Sequence, residues 1–112
     1  MASISTSEPD VVSIDGDIDM HASPQLKQAF EPFITRKSGR VLVDFSGVSY
    51  IDSSGLAVFI EAMQRIQGYG GKFAFFGLRQ NVQDIFQFAR LDQIFRIYSD
   101  KTTALEAVGA AS

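Results

Sequence analysis

The hydrophobic positions along the chain follow two repeating patterns, and the first of them predicts strands. Residues 11–15 alternate apolar and polar side chains, as expected for a strand that buries one face. Residues 41–45 are almost continuously apolar, which is typical of a strand that is covered on both faces. Residues 73–76 form another buried strand, and shorter strands are predicted at 2–5 and 95–98. The first of these would lie at an edge of the sheet.

The second pattern is a helical repeat, which is clearest after residue 52. Apolar side chains recur there at intervals of three and four residues, so they share one face of a helix from about Ser53 to Gln67. The residues on that face are Leu56, Phe59, Ile60, Met63 and Ile66. The glycine-rich segment 68–71 is predicted to end the helix and to form a turn before the next strand.

A helix is also predicted between the second and third strands. Ser23 and Pro24 are suitable for the N-cap and the first helical position. Its predicted buried face consists of Leu26, Ala29, Phe30, Phe33 and Ile34. Pro32 interrupts this repeat, since it lacks an N–H group and its ring crowds the preceding turn, so we expect a kink or an early end near Glu31.

Two more helices complete the predicted order of elements, β β α β α β α β α. The apolar residues that define them are Val82, Ile85, Phe86 and Ala89, then Leu105 and Val108. Ser99 or Asp100 would cap the last helix. This order predicts a single α/β domain over residues 1–108, with a mostly parallel mixed sheet of four to five strands and four main helices. Residues 109–112 would form a frayed tail.

Composition and charge exclude several classes of function. The chain has 112 residues and a net charge of −3, and its ten basic residues are scattered, so direct binding to nucleic acid is not expected. It has no cysteine, which removes disulfides and thiol chemistry. No apolar run of about 18 residues could insert into a membrane, and the first residues lack the pattern of a secretory signal. We therefore expect a cytoplasmic protein.

The candidates for catalysis and metal binding are weak. His21 is the sole histidine, and a lone histidine in a polar loop is more often solvated than oriented as a general base. Asp15, Asp17 and Asp19 alternate as in a calcium loop, but the twelfth position, which requires a glutamate, holds Leu26. The sequence therefore predicts no enzyme, no catalytic residue, no metal site and no cofactor.

The junction between the third strand and the helix after it carries the most distinctive polar residues, Asp52, Ser53 and Ser54. Their oxygens could accept hydrogen bonds from the free N–H groups of the first helical turn. One serine hydroxyl could instead be a phosphorylation site, because the positive end of a helix can hold a phosphate. Residues 17–19 leave another strand in the same sense, so we expect the two loops to be neighbours at one edge of the sheet.

Several segments together resemble the STAS domain of the bacterial anti-sigma factor antagonists. They are Gly-Asp-Ile-Asp at 16–19, Ser-Pro-Gln-Leu-Lys at 23–27, the strand, Asp-Ser-Ser-Gly motif and helix start at 41–58, and the glycine-rich turn at 68–71. The resemblance extends to about residue 108. Asp17 stands where a glutamate is usual, which changes the length of the side chain but not its charge.

The resemblance implies a mechanism of partner switching. The unmodified domain would bind and sequester an anti-sigma factor, which is also a serine kinase, and so release a sigma factor for transcription. Phosphorylation would end this binding, and a metal-dependent serine phosphatase would restore it. By its match to the motif, Ser53 would be the phosphoacceptor, with Ser54 the less favoured site. The implied partner-binding residues are Asp19, Asp52, Ser53, Ser54 and Gly55.

A rival interpretation keeps the domain and changes its role. An accessory subunit of a lipid-transport complex would use the same helix face for constitutive binding to a protein, without turnover of phosphate. In either case the chain would act through protein–protein contacts, and we expect a monomer when no partner is bound.

Overall fold

The structure is a computed structural model that describes residues 2–8 and 10–109. Within these residues it forms one five-stranded sheet with four α-helices. The strands are β1 (Ser3–Glu8), β2 (Val11–Ile18), β3 (Arg40–Ile51), β4 (Lys72–Phe76) and β5 (Arg96–Tyr98). The helices are α1 (Ser23–Thr35), α2 (Ser53–Gly68), α3 (Gln80–Phe88) and α4 (Lys101–Val108), and a short 3₁₀ helix spans Leu91–Gln93.

The spatial order of the strands is the same as their order in the chain. β1 pairs with β2 in antiparallel fashion, and β2, β3, β4 and β5 pair in parallel. The predicted order of elements and the mostly parallel mixed sheet are confirmed. Since β2 and β3 are parallel neighbours, their carboxyl ends meet at one edge of the sheet, where α1 and α2 begin.

The two faces of the sheet bury cores of different size. The larger core lies against α1, α2 and α3 and includes Phe45, whose ring centroid is 4.8 Å from that of Phe75 and 5.2 Å from that of Phe59. The smaller core lies against α4 and includes Leu42. Because neighbouring residues of β3 enter different cores, the prediction that this strand is covered on both faces is confirmed.

β2 and β3 are longer than the sequence predicts. The sequence pattern predicts strands over residues 11–15 and 41–45, whereas β2 continues to Ile18 through two irregularities in its register with β3, and β3 continues through Gly47 to Ile51. Gly47 does not form a turn. A Cβ atom there would lie 2.6 Å from Asp15 Oδ1 and 3.1 Å from Asp15 Cα, so glycine allows the two strands to approach closely.

α1 also differs from its prediction. Ser23 is its first helical residue and not its N-cap, a position that Ala22 takes without a side-chain hydrogen bond. The helix does not end near Glu31. It passes through Pro32 to Thr35, because the exposed proline costs one backbone hydrogen bond while Phe33, beyond it, is buried in the larger core.

The C-terminal part of the structure follows the prediction with small changes. Ala89 is exposed after the end of α3 and does not belong to a buried face, and β5 begins one residue later than predicted. Asp100 is the N-cap of α4, with its carboxylate accepting a bond of 2.8 Å from the N–H of Thr103. Residues 110–112 of the predicted tail lie outside the described residues.

The far end of α4 is attached to the starts of two strands. Arg40 Nη1 donates a hydrogen bond of 2.6 Å to the carbonyl oxygen of Gly109, and Lys72 Nζ donates one of 3.3 Å to that of Val108. Arg40 also pairs with Asp10 at 3.0 Å. None of the helices in the described part of the chain is long and apolar enough to cross a lipid bilayer.

The packing around Phe45 predicts a large loss of stability when this ring is removed. Phe45 has no exposed surface and contacts three other rings, so Phe45→Ala should lower the free energy of unfolding by roughly 3–5 kcal/mol. Phe88→Ala is the matched control, because Phe88 is 92% exposed and should change that free energy by less than about 0.5 kcal/mol. Urea denaturation measures both, and equal losses would contradict the assigned core.

Candidate functional site

The candidate site lies where β2 and β3 end side by side. Ile18 is paired with Ile51 in the last register position of the two strands. Immediately beyond this pair, the N–H of Asp52 donates a hydrogen bond of 3.0 Å to the carbonyl oxygen of Ile18. The loop 19–22 after β2 and the start of α2 after β3 are therefore neighbours, as the sequence predicts.

Asp52 is the residue that caps α2. Its Oδ1 atom accepts hydrogen bonds from the N–H groups of Ser54 at 2.9 Å and Gly55 at 3.2 Å, and from the hydroxyl of Ser54 at 2.6 Å. The bond from the Ser54 hydroxyl holds the pKa of Asp52 below its ordinary value, and the backbone N–H groups of Gly55, Ser54 and Met20 lower it further, against the opposing effect of partial burial. The carboxylate, and not a serine hydroxyl, satisfies the first turn of the helix.

The two serines of the motif have different environments. Ser54 is partly buried, and its oxygen lies 3.1 Å from the Ser23 hydroxyl oxygen in addition to its bond with Asp52. Ser53 is exposed, and its hydroxyl makes no hydrogen bond with any residue that the structure describes. Of the two serines, only Ser53 therefore presents an unbonded hydroxyl to solvent in the described structure.

Gly55 allows α2 to begin close to the end of β2. It is buried, and a Cβ atom there would lie 2.6 Å from Ile18 Cγ2 and 3.2 Å from the carbonyl oxygen of Ile18. A side chain would force the helix away from the strand end. Gly55 thus contributes to the site by fixing the position of the residues before it.

Asp19 stabilises the loop 19–22 from within. Its Oδ1 atom accepts hydrogen bonds from the N–H groups of His21 at 3.0 Å and Ala22 at 3.1 Å. The His21 side chain is exposed and has no hydrogen bond to either serine within the described part of the chain. The geometry therefore offers no histidine–serine pair for nucleophilic catalysis.

The surface around Ser53 combines acidic and apolar groups. The acidic groups are Asp19, in the loop after β2, and Asp52, directly after β3. The apolar groups are Met20, which follows Asp19 and is 68% exposed, and Tyr50, which is 48% exposed near the end of β3. The five residues expected at this site are all at this edge of the sheet: Asp19, Asp52, Ser53, Ser54 and Gly55. Such a surface suits contact with another protein, since it has apolar groups beside fixed charges.

Sequence reasoning missed two members of this edge. The sequence predicts Ser23 as an N-cap and as part of a segment that carries the family resemblance, but not as a member of this site, because its contact with Ser54 crosses 31 positions of the chain. Met20 did carry a signal, because it is a large apolar residue in an otherwise polar loop.

Comparisons with known proteins identify relatives of this chain in sequence and in fold. A family model described as the STAS domain matches residues 3–104. An anti-sigma-B factor antagonist of Listeria monocytogenes is 31% identical over 99 residues, which cover 85% of this chain and 87% of that protein. The crystal structure of an anti-sigma factor antagonist from Mycobacterium paratuberculosis matches with a TM-score of 0.86 and 26% identity, covering 96% of this chain and 94% of that one.

The fold is shared with a more distant protein as well. The structure of the phosphorylated Bacillus cell fate determinant SpoIIAA matches with a TM-score of 0.68 and 20% identity. The match covers 97% of this chain and 100% of that one. The family model includes every element that builds the candidate site, from β2 to the start of α2. The chain belongs to the STAS-domain family of bacterial anti-sigma factor antagonists.

Proposed function

We propose that this protein is an anti-sigma factor antagonist whose binding is switched off by phosphorylation of Ser53. The unmodified form binds and sequesters an anti-sigma factor, which frees a sigma factor for transcription. The observation that carries the proposal is the difference between the two serines. The Ser53 hydroxyl is exposed and without a hydrogen bond in the described structure, whereas the Ser54 hydroxyl donates to Asp52 at 2.6 Å.

The electrostatics of the site support a switch that acts on binding. A phosphate on Ser53 would add a charge of about −1.5 to −2 at neutral pH. Asp19 and Asp52 already make this edge of the sheet acidic. A partner that packs closely around the neutral hydroxyl would then face both desolvation and repulsion, and a loss of about 4 kcal/mol corresponds to a thousandfold weaker complex.

The same geometry supports a switch that leaves the fold unchanged. Asp52 already accepts hydrogen bonds from the N–H groups of Ser54 and Gly55, so the cap of α2 does not depend on the Ser53 side chain. A phosphate on Ser53 would lie outside this set of bonds, near the positive end of the helix. We infer that the modification changes the surface that a partner meets and not the packing below it.

The proposed partners follow from this role. The anti-sigma factor would itself be a serine kinase and would bring the ATP, and a metal-dependent serine phosphatase would remove the phosphate. The proposal agrees with the name of the Listeria relative, and the phosphorylated form of the Bacillus protein is a precedent for phosphate on this fold. The protein would act in the cytoplasm as a regulator that binds proteins, without catalysis of its own.

The proposal predicts a single phosphoacceptor. Incubation with the cognate anti-sigma kinase and ATP should add one phosphate per chain, and Ser53→Ala should abolish this addition, because the hydroxyl that reaches solvent is gone. Ser54→Ala is the matched control and should still accept one phosphate. Intact-protein mass spectrometry reads both results, and a phosphate that persists in Ser53→Ala and disappears in Ser54→Ala would place the site one residue further on.

Charge at position 53 should affect binding far more than stability. Ser53→Asp should weaken the complex with the anti-sigma factor by about a hundredfold to a thousandfold, since each factor of ten needs only about 1.4 kcal/mol of repulsion and desolvation. Ser53→Asn, of similar size and without charge, should weaken it much less. Titration calorimetry compares the affinities, and thermal unfolding of each variant should change little. A large fall in melting temperature for both variants would instead assign Ser53 a structural role.

Asp52 should contribute to stability in a way that depends on pH. Asp52→Ala removes the cap of α2 and should cost roughly 0.5–2 kcal/mol at neutral pH. Because the pKa of Asp52 is lowered on folding, its contribution is complete above the ordinary carboxyl pKa of about 3.9 and is lost as the pH falls through the lowered folded value.

Urea denaturation of the wild type and Asp52→Ala along a falling pH series measures this contribution. The difference in unfolding free energy between the two proteins should shrink in acid. Asp52→Asn keeps an oxygen that can accept the N–H bonds and serves as the control without a titrating group. A difference that stays constant down the pH series would refute the assigned role of the carboxylate.

A further inference from the structure

The hydroxyls of Ser23 and Ser54 connect the starts of α1 and α2. Their oxygens are 3.1 Å apart, and the two residues are separated by 31 positions in the chain. Ser54 also donates to Asp52 Oδ1 at 2.6 Å. We call the three residues Ser23, Ser54 and Asp52 the serine bridge.

The count of protons fixes the direction of the bonds in the serine bridge. A hydroxyl has one hydrogen to donate, and that of Ser54 is committed to a carboxylate, so Ser54 can only accept from Ser23. The alternative acceptor for the Ser23 hydroxyl is the carbonyl oxygen of Asp19, at 3.0 Å. That oxygen already accepts hydrogen bonds from the N–H groups of Ala22 at 3.1 Å and Ser23 at 3.0 Å. The hydroxyl of Ser23 is therefore better placed to donate its hydrogen to the Ser54 oxygen.

The serine bridge adds a side-chain bond to a loop that already meets the cap of α2 through its backbone. Within the loop 19–22, the carboxylate and carbonyl of Asp19 accept local bonds, which give the loop its shape, and the backbone N–H of Met20 interacts with the Asp52 carboxylate and lowers its pKa. The serine bridge adds an attachment to the residue next to Ser53. It thereby helps to fix the backbone of the loop, and with it the Asp19 carboxylate, relative to the phosphoacceptor hydroxyl.

We propose that the Ser23–Ser54 hydrogen bond is a positioning contact, which holds the loop 19–22 and Ser53 as one preformed binding surface for the anti-sigma kinase. The proposal rests on the function proposed above and assigns a role to Ser23, which lies outside the motif. Binding to a preformed surface avoids the entropy cost of ordering the loop at the moment of contact. Neither serine of the pair touches the reacting phosphate, and both act through the position of the loop.

The first experiment measures the serine bridge in the free protein. Ser23→Ala should raise the rate of amide hydrogen exchange in residues 19–23 by about twofold to tenfold, the range expected for loss of one hydrogen bond. Ser53→Ala is the matched control, because its hydroxyl has no partner in the described structure and its removal should leave these rates unchanged. Unchanged exchange in Ser23→Ala would overturn the proposal.

The second experiment measures binding and phosphorylation with a double-mutant cycle. Ser23→Ala should raise the KM for phosphorylation of Ser53 by about twofold to tenfold and leave kcat nearly unchanged, since the acceptor hydroxyl itself is intact. Adding Ser23→Ala to Ser54→Ala should cause no further rise, because the bond is already lost. Ser54→Thr keeps a hydroxyl and should restore a KM near that of the wild type. If the rise in KM of the double variant equals the product of the rises in Ser23→Ala and Ser54→Ala, the two residues act independently and the proposal is overturned.

The two experiments separate this proposal from the function on which it rests. If the wild type neither binds nor is phosphorylated by the anti-sigma kinase, the proposed function fails, while the exchange rates still decide whether the hydroxyl pair holds the loop. If the wild type binds and Ser23→Ala binds equally well, the proposed function stands and the positioning role is wrong.

Discussion

The cap that Asp52 places on α2 is the interaction on which the rest of the site depends. One carboxylate oxygen accepts three hydrogen bonds, two from backbone N–H groups and one from the Ser54 hydroxyl. These bonds fix where the helix begins and commit the hydroxyl of the second serine. The first serine is left exposed, as a consequence of how the helix start is satisfied.

This arrangement gives three consecutive residues different contacts. Asp52 and Ser54 satisfy the helix and connect it to α1, whereas Ser53 has no structural bond to lose within the described residues. The helix start is also pressed against the end of β2, since Gly55 leaves no space for a side chain between them. The proposed switch requires a rigid support of this kind, because a change of charge at Ser53 would then alter the binding surface and not the fold.

Much of the fold follows from patterns that are local in the sequence. The apolar runs and helical repeats identify each strand and helix in its correct order, because the larger core demands those side chains on fixed faces. The extension of β3 through 46–49 does not follow, since glycine and serine there are typical of loops. In the structure they continue a strand because Gly47 lies against Asp15 of the neighbouring strand. This is a tertiary contact, which cannot be predicted from the local sequence.

The site shows the same limit at the level of single atoms. The motif identifies the correct edge of the sheet. Asp52 and both serines are all good capping residues, however, so the sequence does not show which of them caps the helix. Distances in the structure distinguish the two serines: the Ser54 hydroxyl donates a hydrogen bond of 2.6 Å to Asp52, and the Ser53 hydroxyl makes none among the described residues. The contact between Ser23 and Ser54 could not be identified from sequence, because the two residues are 31 positions apart.

The attachment of α4 determines how the molecule can be handled. Arg40 opens β3 and holds the carbonyl of Gly109, whereas Ser53 follows the opposite end of the same strand. The twelve residues of β3 therefore separate the end of α4 from Ser53, the proposed phosphoacceptor. A fluorophore or a solid support joined after residue 109 would be attached at the edge of the sheet opposite to the proposed binding surface.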